Sequence, residues 1–275
     1  MLDDKINSAI RILKMAETQA NIFAEPVEIA YSGGKDSDVI LELAKMAGIN
    51  YRAIYKNTTI DPPGTIQHVR ENGVEIRQPK ENFFTLIRKH GFPSFRFRFC
   101  CQYLKEYKIL NTAVWGVRAD ESPARKKRYK EANFCKVYST HQRVNVYAPI
   151  FDWTLDDVKN FILSRKITLA PHYYVNGVID FTRRLGCLGC PLQYNRGIED
   201  FKQNPNFLKA LLRAGQKWCD THPRELFADV YELFIYRTFY KKTADYIQDF
   251  KRSNLFERES AKTYLEQYFN TTFNI

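Results

Sequence analysis

Short apolar runs, each broken by glycine or proline and followed by a stretch with helical spacing, recur over the first two thirds of the chain. Residues 27–31 (VEIAY) suit a buried parallel strand, Gly33 and Gly34 break it, and Val39, Ile40, Leu43 and Ala47 then fall on one helical face. The unit repeats: residues 51–56 alternate like a strand, 58–64 form a proline-rich turn, and 65–72 are helical until Gly73 ends the run. A third strand is expected over 74–77 and a third helix over 82–89. Residues 101–110 read as helix, 112–117 as a further central strand and 144–150 as the last strand. Thr154, with Asp157 three residues on, then opens a helix through Ser164 that turns Leu155, Val158 and Ile162 inward. Such alternation predicts an α/β fold with a doubly wound, mostly parallel sheet.

After Gly186 the strand pattern stops. Residues 199–221, 225–250 and 258–269 read as helices with aromatic stripes, interrupted near Pro205 and Pro223. The expected organisation is a nucleotide-binding α/β domain over 1–190 and a C-terminal helical region over 191–275 packed on it. At the other end, Ile6, Ile10, Leu13 and Ala16 make residues 1–20 an amphipathic helix rather than a signal sequence. No run approaches the roughly 20 apolar residues of a membrane span, so a cytoplasmic protein without a membrane partner is expected.

The chain has 275 residues, of which 44% are hydrophobic, enough for one large α/β domain. Its formal net charge of +11 attracts polyanions before any contact forms. Two readings follow: a nucleic-acid partner, or a positive nucleotide cleft together with a solvated basic face. The run Arg125, Lys126, Lys127, Arg128 and Lys130 divides in the same way between a phosphate-binding patch and a solvated loop.

Candidate chemistry concentrates at residues 32–37 (SGGKDS). Gly33 and Gly34 permit backbone angles at which successive amides converge on phosphate oxygens, and the following helix adds its positive end. Lys35 can neutralise charge, the hydroxyls of Ser32 and Ser37 can donate, and Asp36 can orient Lys35 or a metal-bound water. Neither the longer GK[ST] phosphate loop nor a GxGxxG dinucleotide turn is present. Thr58, Asp61, Arg118 and Glu121 also follow expected strands, where a doubly wound sheet places its ligand groups. Arg118 has the planar fork that grips an oxyanion, whereas Asp61 suits magnesium, a ribose hydroxyl or simply an Asp-Pro-Pro turn.

The SGGKDS turn closely resembles the PP-loop of the adenine nucleotide α-hydrolase-like proteins, which include the ATP pyrophosphatases and the phosphoadenosine-phosphosulfate reductases. Segments at 57–63 (NTTIDPP), 115–122 (WGVRADES), 148–158 (APIFDWTLDDV) and 184–191 (RLGCLGCP) look like the same superfamily. The resemblance implies cleavage of ATP between its α- and β-phosphates, with magnesium on the leaving pyrophosphate.

Six cysteines without a secretion signal point to reduced thiols. Cys100 and Cys101 are adjacent and Cys187 and Cys190 form a CxxC, four thiolates that suit zinc or a [4Fe-4S] cluster. A CC pair with a later CxxC resembles the cluster-binding sulfonucleotide reductases, and Lys105 matches a lysine that follows their pair. Cys135 and Cys219 read as packing residues.

Two departures bear on the reaction that the resemblance implies. The PP-loop is intact, whereas it is altered in true sulfonucleotide reductases, and no cysteine follows Cys219 to act as their C-terminal nucleophile. The expected activity is therefore ATP-dependent activation of an acceptor for sulfur transfer, as in members that thiolate transfer RNA or install phosphorothioates in DNA, with a cysteine desulfurase as sulfur donor. The alternatives are a phosphoadenosine- or adenosine-phosphosulfate reductase that releases sulfite, and a non-catalytic nucleotide-binding protein.

Overall fold

The computed structural model describes every residue apart from 1, 122, 124–126, 128–131, 139–141, 194, 196 and 253–259. Its strands are β1 (Val27–Tyr31), β2 (Tyr51–Lys56), β3 (Glu75–Arg77), β4 (Thr112–Val114), β5 (Asn133–Val137) and β6 (Arg143–Tyr147), with a two-residue hairpin at Tyr174–Val175 and Val178–Ile179. The helices are α1 (Leu2–Asn21), α2 (Lys35–Ala47), α3 (Thr65–Glu71), α4 (Phe83–His90), α5 (Phe99–Leu104), α6 (Leu155–Arg165), α7 (Ile198–Gln203), α8 (Pro205–Thr221), α9 (Val230–Phe239), α10 (Thr243–Tyr246) and α11 (Ala261–Phe269).

The main sheet has the order β3-β2-β1-β4-β6-β5. Every neighbouring pair is parallel except β5 and β6, so the expected mostly parallel α/β architecture with C-terminal helices holds. Between β1 and β4 the strand order reverses: the chain winds outward from β1 to β3, then returns to lay β4 on the other side of β1.

Two compact units are present, and they do not follow one cut along the chain. The first comprises Met1–Asn57, Asp61–Pro79 and Lys105–Gly186; the second comprises Thr58–Ile60, Lys80–Leu104 and Cys187–Ile275. The first has its core where Ala9, Leu13 and Ala16 of α1, Val27 and Ile29 of β1, Val39, Ile40 and Leu43 of α2, and Val158, Phe161 and Ile162 of α6 meet. The second has an aromatic core, including Phe83, Phe92, Phe99, Phe201, Trp218, Phe234 and Phe269.

Several boundaries differ from the sequence reading for local reasons. β5 was not anticipated because its five residues alternate only between exposed and half-buried, leaving no apolar stripe at this sheet edge. The helix expected over 101–110 spans only Phe99–Leu104, and Lys108 with φ of 47° turns the chain away from helical geometry. The helix expected from 225 begins at Val230, where the Asp229 side chain accepts the Glu232 N–H as a cap.

At α6 the expected cap is present in full. Thr154 accepts from the Asp157 N–H while Asp157 accepts from the Thr154 N–H. Thr154→Ala should lower stability by about 1 kcal/mol, and Phe161→Ala, which empties a fully buried site, by about 3–5 kcal/mol. Urea denaturation of the two variants should rank them in that order.

Candidate functional site

Because β1 and β4 are parallel neighbours at the reversal of strand order, the segments that follow them leave the sheet side by side. Ligands of open α/β sheets bind at such a switch point, beyond the carboxyl ends of the strands. The first segment is the SGGKDS turn. Gly33 has φ of 77°, a left-handed angle that a side chain would strain, and α2 starts two residues later with Gly34 as its N-cap. The Ser37 hydroxyl donates to the Gly34 carbonyl at 2.7 Å, and Ser32 Oγ accepts from the Gly34 N–H at 3.3 Å, so both serines brace the turn.

Lys35 is 3% exposed. Its Nζ donates to the Arg183 carbonyl at 3.1 Å and lies 3.7 Å from Asp36 Oδ2. Burial pulls its pKa below the usual 10.5; Asp36 opposes that shift, and Arg118 reinforces it. The other oxygen of Asp36 accepts from Arg118 Nε at 2.7 Å. Arg118 comes from the segment after β4, is 4% exposed, and also donates to Asp120 at 3.3 Å and to the Trp153 carbonyl at 3.4 Å. The fork expected to grip phosphate is therefore engaged by protein acceptors. Glu121 accepts the Arg118 backbone N–H at 3.3 Å, and its carbonyl accepts from Arg184 at 2.8 Å. Gly116 makes the approach of the two segments possible, since a Cβ there would lie 3.0 Å from the Asp36 carbonyl oxygen.

Asp61 lies in the same unit and accepts from the Tyr55 hydroxyl at 2.5 Å. Thr58 belongs to the second unit, buried, where its hydroxyl accepts from the Cys187 thiol at 3.6 Å. In the basic run, Arg125, Lys126, Arg128 and Lys130 lie outside the described residues, and Lys127 is exposed.

Sequence reasoning missed three features of the turn. Tyr173, 1% exposed, accepts the first backbone N–H of α2, that of Lys35, at 3.0 Å; burial, then Asp36, raise its pKa to about 12. Nothing in its sequence context marks it. Arg183 and Arg184 supply a carbonyl and a charge to Lys35, and the adjacent arginines just before the CxxC were a usable signal. The third feature is a buried polar cluster one turn into α2. The Tyr31 hydroxyl donates to Asp38, His68 Nε2 lies 3.0 Å from the same oxygen, and the second oxygen of Asp38 is buried without a hydrogen-bond partner among the described residues. Burial raises the Asp38 pKa.

All four paired cysteines fall in the second unit and are free thiols. The Cys100 thiol is pushed far above its ordinary range by a hydrogen bond with Cys101, by burial, and by the charges of Cys101, Cys187 and Cys190. Four cysteines in one unit are a donor set whose chemistry fits an all-cysteine centre. As the side chains stand, no group of three or more His, Cys, Asp or Glu among the described residues is arranged to hold a metal. Cys135 is exposed on β5, and burial raises the Cys219 pKa to about 11. Among the described residues no helix is long and apolar enough to cross a membrane.

The sequence model of the phosphoadenosine phosphosulfate reductase domain matches residues 26–193, from the start of β1 to just past the CxxC. The chain belongs to the phosphoadenosine phosphosulfate reductase domain family. A relative is the uncharacterized protein MJ0066 of Methanocaldococcus jannaschii, 30% identical over 61% of this chain and 36% of its own length. The chain spans between 36% and 42% of the length of the curated relatives it matches. Among solved structures, the phosphoadenylyl-sulfate reductase of Candida auris is similar with a TM-score of 0.43 and 19% identity, covering 62% of this chain and 87% of that one. The U34-tRNA thiolase of Methanococcus maripaludis, solved with its [4Fe-4S] cluster, is similar with a TM-score of 0.39 and 14% identity, covering 81% of this chain and 82% of that one.

The buried Lys35 of this family member gives a pH test. A lysine whose pKa is lowered by folding penalises the folded state while charged, and the penalty fades as pH rises through the lowered pKa toward 10.5. Lys35→Met should therefore be more stable than wild type at pH 7, with the gap closing toward pH 10.5. Urea midpoints of both proteins across that range check it; a gap that widens with pH contradicts the sign.

Proposed function

We propose that this chain cleaves ATP between the α- and β-phosphates and so activates a nucleic-acid acceptor for sulfur transfer. The observation that carries the reading is the side chain of Asp36, held between Lys35 and Arg118 at the start of α2, directly after a glycine turn at the sheet's switch point. In this reading an acceptor oxygen attacks the α-phosphorus and the bond to the β-phosphate breaks. Pyrophosphate leaves with the electron pair, and AMP stays on the acceptor. The amides of the turn and the Lys35 ammonium oppose the charge that grows on the leaving phosphates. Phosphate oxygens near Lys35 also restore its proton affinity, which burial lowers. Asp36 and Arg118 position the lysine, and Arg118 turns toward phosphate only as Asp36 yields it.

Magnesium fits as a companion of the triphosphate, because it keeps several waters and needs few protein ligands. For the second unit, Cys100, Cys101, Cys187 and Cys190 would hold a [4Fe-4S] cluster, with zinc as the alternative occupant of the same thiols. When bound, the cluster would supply an iron–sulfur centre for the sulfur-transfer half of the reaction, with a cysteine desulfurase as donor.

Anaerobic incubation with labelled ATP, magnesium and a nucleic-acid acceptor (transfer RNA or single-stranded DNA) should release pyrophosphate and pass the AMP label to the acceptor, and Lys35→Ala should slow this by on the order of 10²–10³. ADP as the only nucleotide product defeats the reading. Release of sulfite from phosphoadenosine phosphosulfate, with ATP untouched, would replace it by the reductase activity. Anaerobically purified protein should be brown and carry about four iron and four sulfide per chain. Cys187→Ser should lose the colour, whereas a colourless wild type with stoichiometric zinc removes the cluster from the proposal.

A further inference from the structure

In the second unit, residues 80–104 hold five Lys or Arg and a single acidic residue, Glu81. The same stretch carries bare aromatic rings, two of which alternate in sequence with Arg96 and Arg98. Phe95 is 73% exposed, Tyr103 47% and Phe97 46%. Arg88, Arg96 and Arg98 are exposed and have no ion-pair partner among the described residues, while Lys89 pairs with Glu81. A soluble protein rarely leaves several large rings together in water unless they meet a partner.

The rings are held in place by their surroundings. His90, at the end of α4, stacks on Tyr103 at 5.3 Å between ring centres and 24° between planes, and touches Phe99 at 4.9 Å and Phe97 at 6.4 Å. Ahead of them, the Ser94 N–H donates to the Phe97 carbonyl at 3.0 Å and Ser94 Oγ accepts from the Phe97 N–H at 3.1 Å. These two bonds close a four-residue turn that carries Phe95 and Arg96 at its tip. Within this turn and just after it, rings alternate with guanidinium groups: Phe95, Arg96, Phe97, Arg98.

We infer that this surface binds single-stranded nucleic acid, with Phe95, Phe97 and Tyr103 stacking on bases and Arg88, Arg96 and Arg98 meeting phosphates. Stacking needs unpaired bases, because a duplex hides their faces, and unpaired arginines are free to replace the counterions of the backbone. An acidic peptide would satisfy the arginines but leave the rings in water. The inference rests on the proposed function only for the strand's role as acceptor; binding itself requires no ATP.

Fluorescence anisotropy of the full chain, without ATP, tests it on labelled oligo-dT and oligo-U of about 15 nucleotides and on a duplex of equal length. Phe95→Ala with Phe97→Ala should weaken single-strand binding about tenfold or more and leave the weaker duplex binding unchanged. Arg96→Gln with Arg98→Gln should reduce the slope of log affinity against log salt by about 1.4. Tighter binding of oligo-U would assign the strand to RNA, and of oligo-dT to DNA. A Phe95→Trp chain should bind as wild type and lose indole fluorescence as a base stacks on it, a readout that a merely structural ring would not give. Wild-type affinity in the double alanine variant, full displacement by poly-glutamate at equal charge, or binding by Phe95→Trp without quenching each overturns the inference. AMP formation from ATP is measured separately, so loss of strand binding and loss of ATP cleavage are distinguishable.

Discussion

Removing Lys35 and Arg118 from water is costly unless a carboxylate shares their space, and Asp36 meets both, one with each oxygen. This arrangement ties the segment after β1 to the segment after β4, strands adjacent in the sheet but far apart in sequence. It also explains why Gly116 faces the Asp36 backbone at a distance that leaves no room for a side chain. Asp120 and Glu121 add two more acceptors around Arg118. The cations of the turn are thus held and largely balanced within the protein. In the proposed reading an incoming phosphate would compete with carboxylates for preplaced charges rather than recruit charges from solvent, which would favour an anion that brings several oxygens at once.

The parts of this arrangement that were legible in the sequence are those with a local signature. A strand, two glycines and a helical run mark the turn, and Thr154 with Asp157 marks the cap of α6, since in each case the physical cause lies within a few residues. Arg118 was recognisable as a charged group after a strand, but its engagement by Asp36 was not, because that bond depends on the order of strands in the sheet. Tyr173 was invisible for the same reason. It reaches the Lys35 N–H from 138 residues away, and nothing in its own neighbourhood distinguishes it from a core tyrosine. The edge strand β5 escaped for the opposite reason: pairing with β6 alone forms it, without any buried face to shape its composition.

The cysteines illustrate an intermediate case. Their pairing as CC and CxxC is readable, and the fold places both pairs in one unit by drawing residues 80–104 and the stretch from Cys187 onward into a common aromatic core. A single cut along the chain could not express this, because three residues after β2 and the stretch containing α4 and α5 cross into the second unit before the chain returns to finish the sheet. The Leu188 N–H donates to the Ile60 carbonyl at 2.8 Å, so the short crossing after β2 also helps to hold the CxxC.

The distribution of charge separates the two proposed tasks of the chain. Around the turn, Lys35, Arg118 and Arg184 are matched by Asp36, Asp120 and Glu121, so these groups contribute none of the formal excess of +11. Arg88, Arg96 and Arg98, which have no ion-pair partner among the described residues, carry part of it. A small polyvalent anion is selected by buried, preorganised groups at short range, where the low dielectric makes each contact strong. A long polyanion is selected by exposed cations acting over about a Debye length, where salt weakens each contact and their number compensates. Raising ionic strength therefore acts on the second kind of group far more than on the first, which follows from where the charges sit rather than from how many the chain carries.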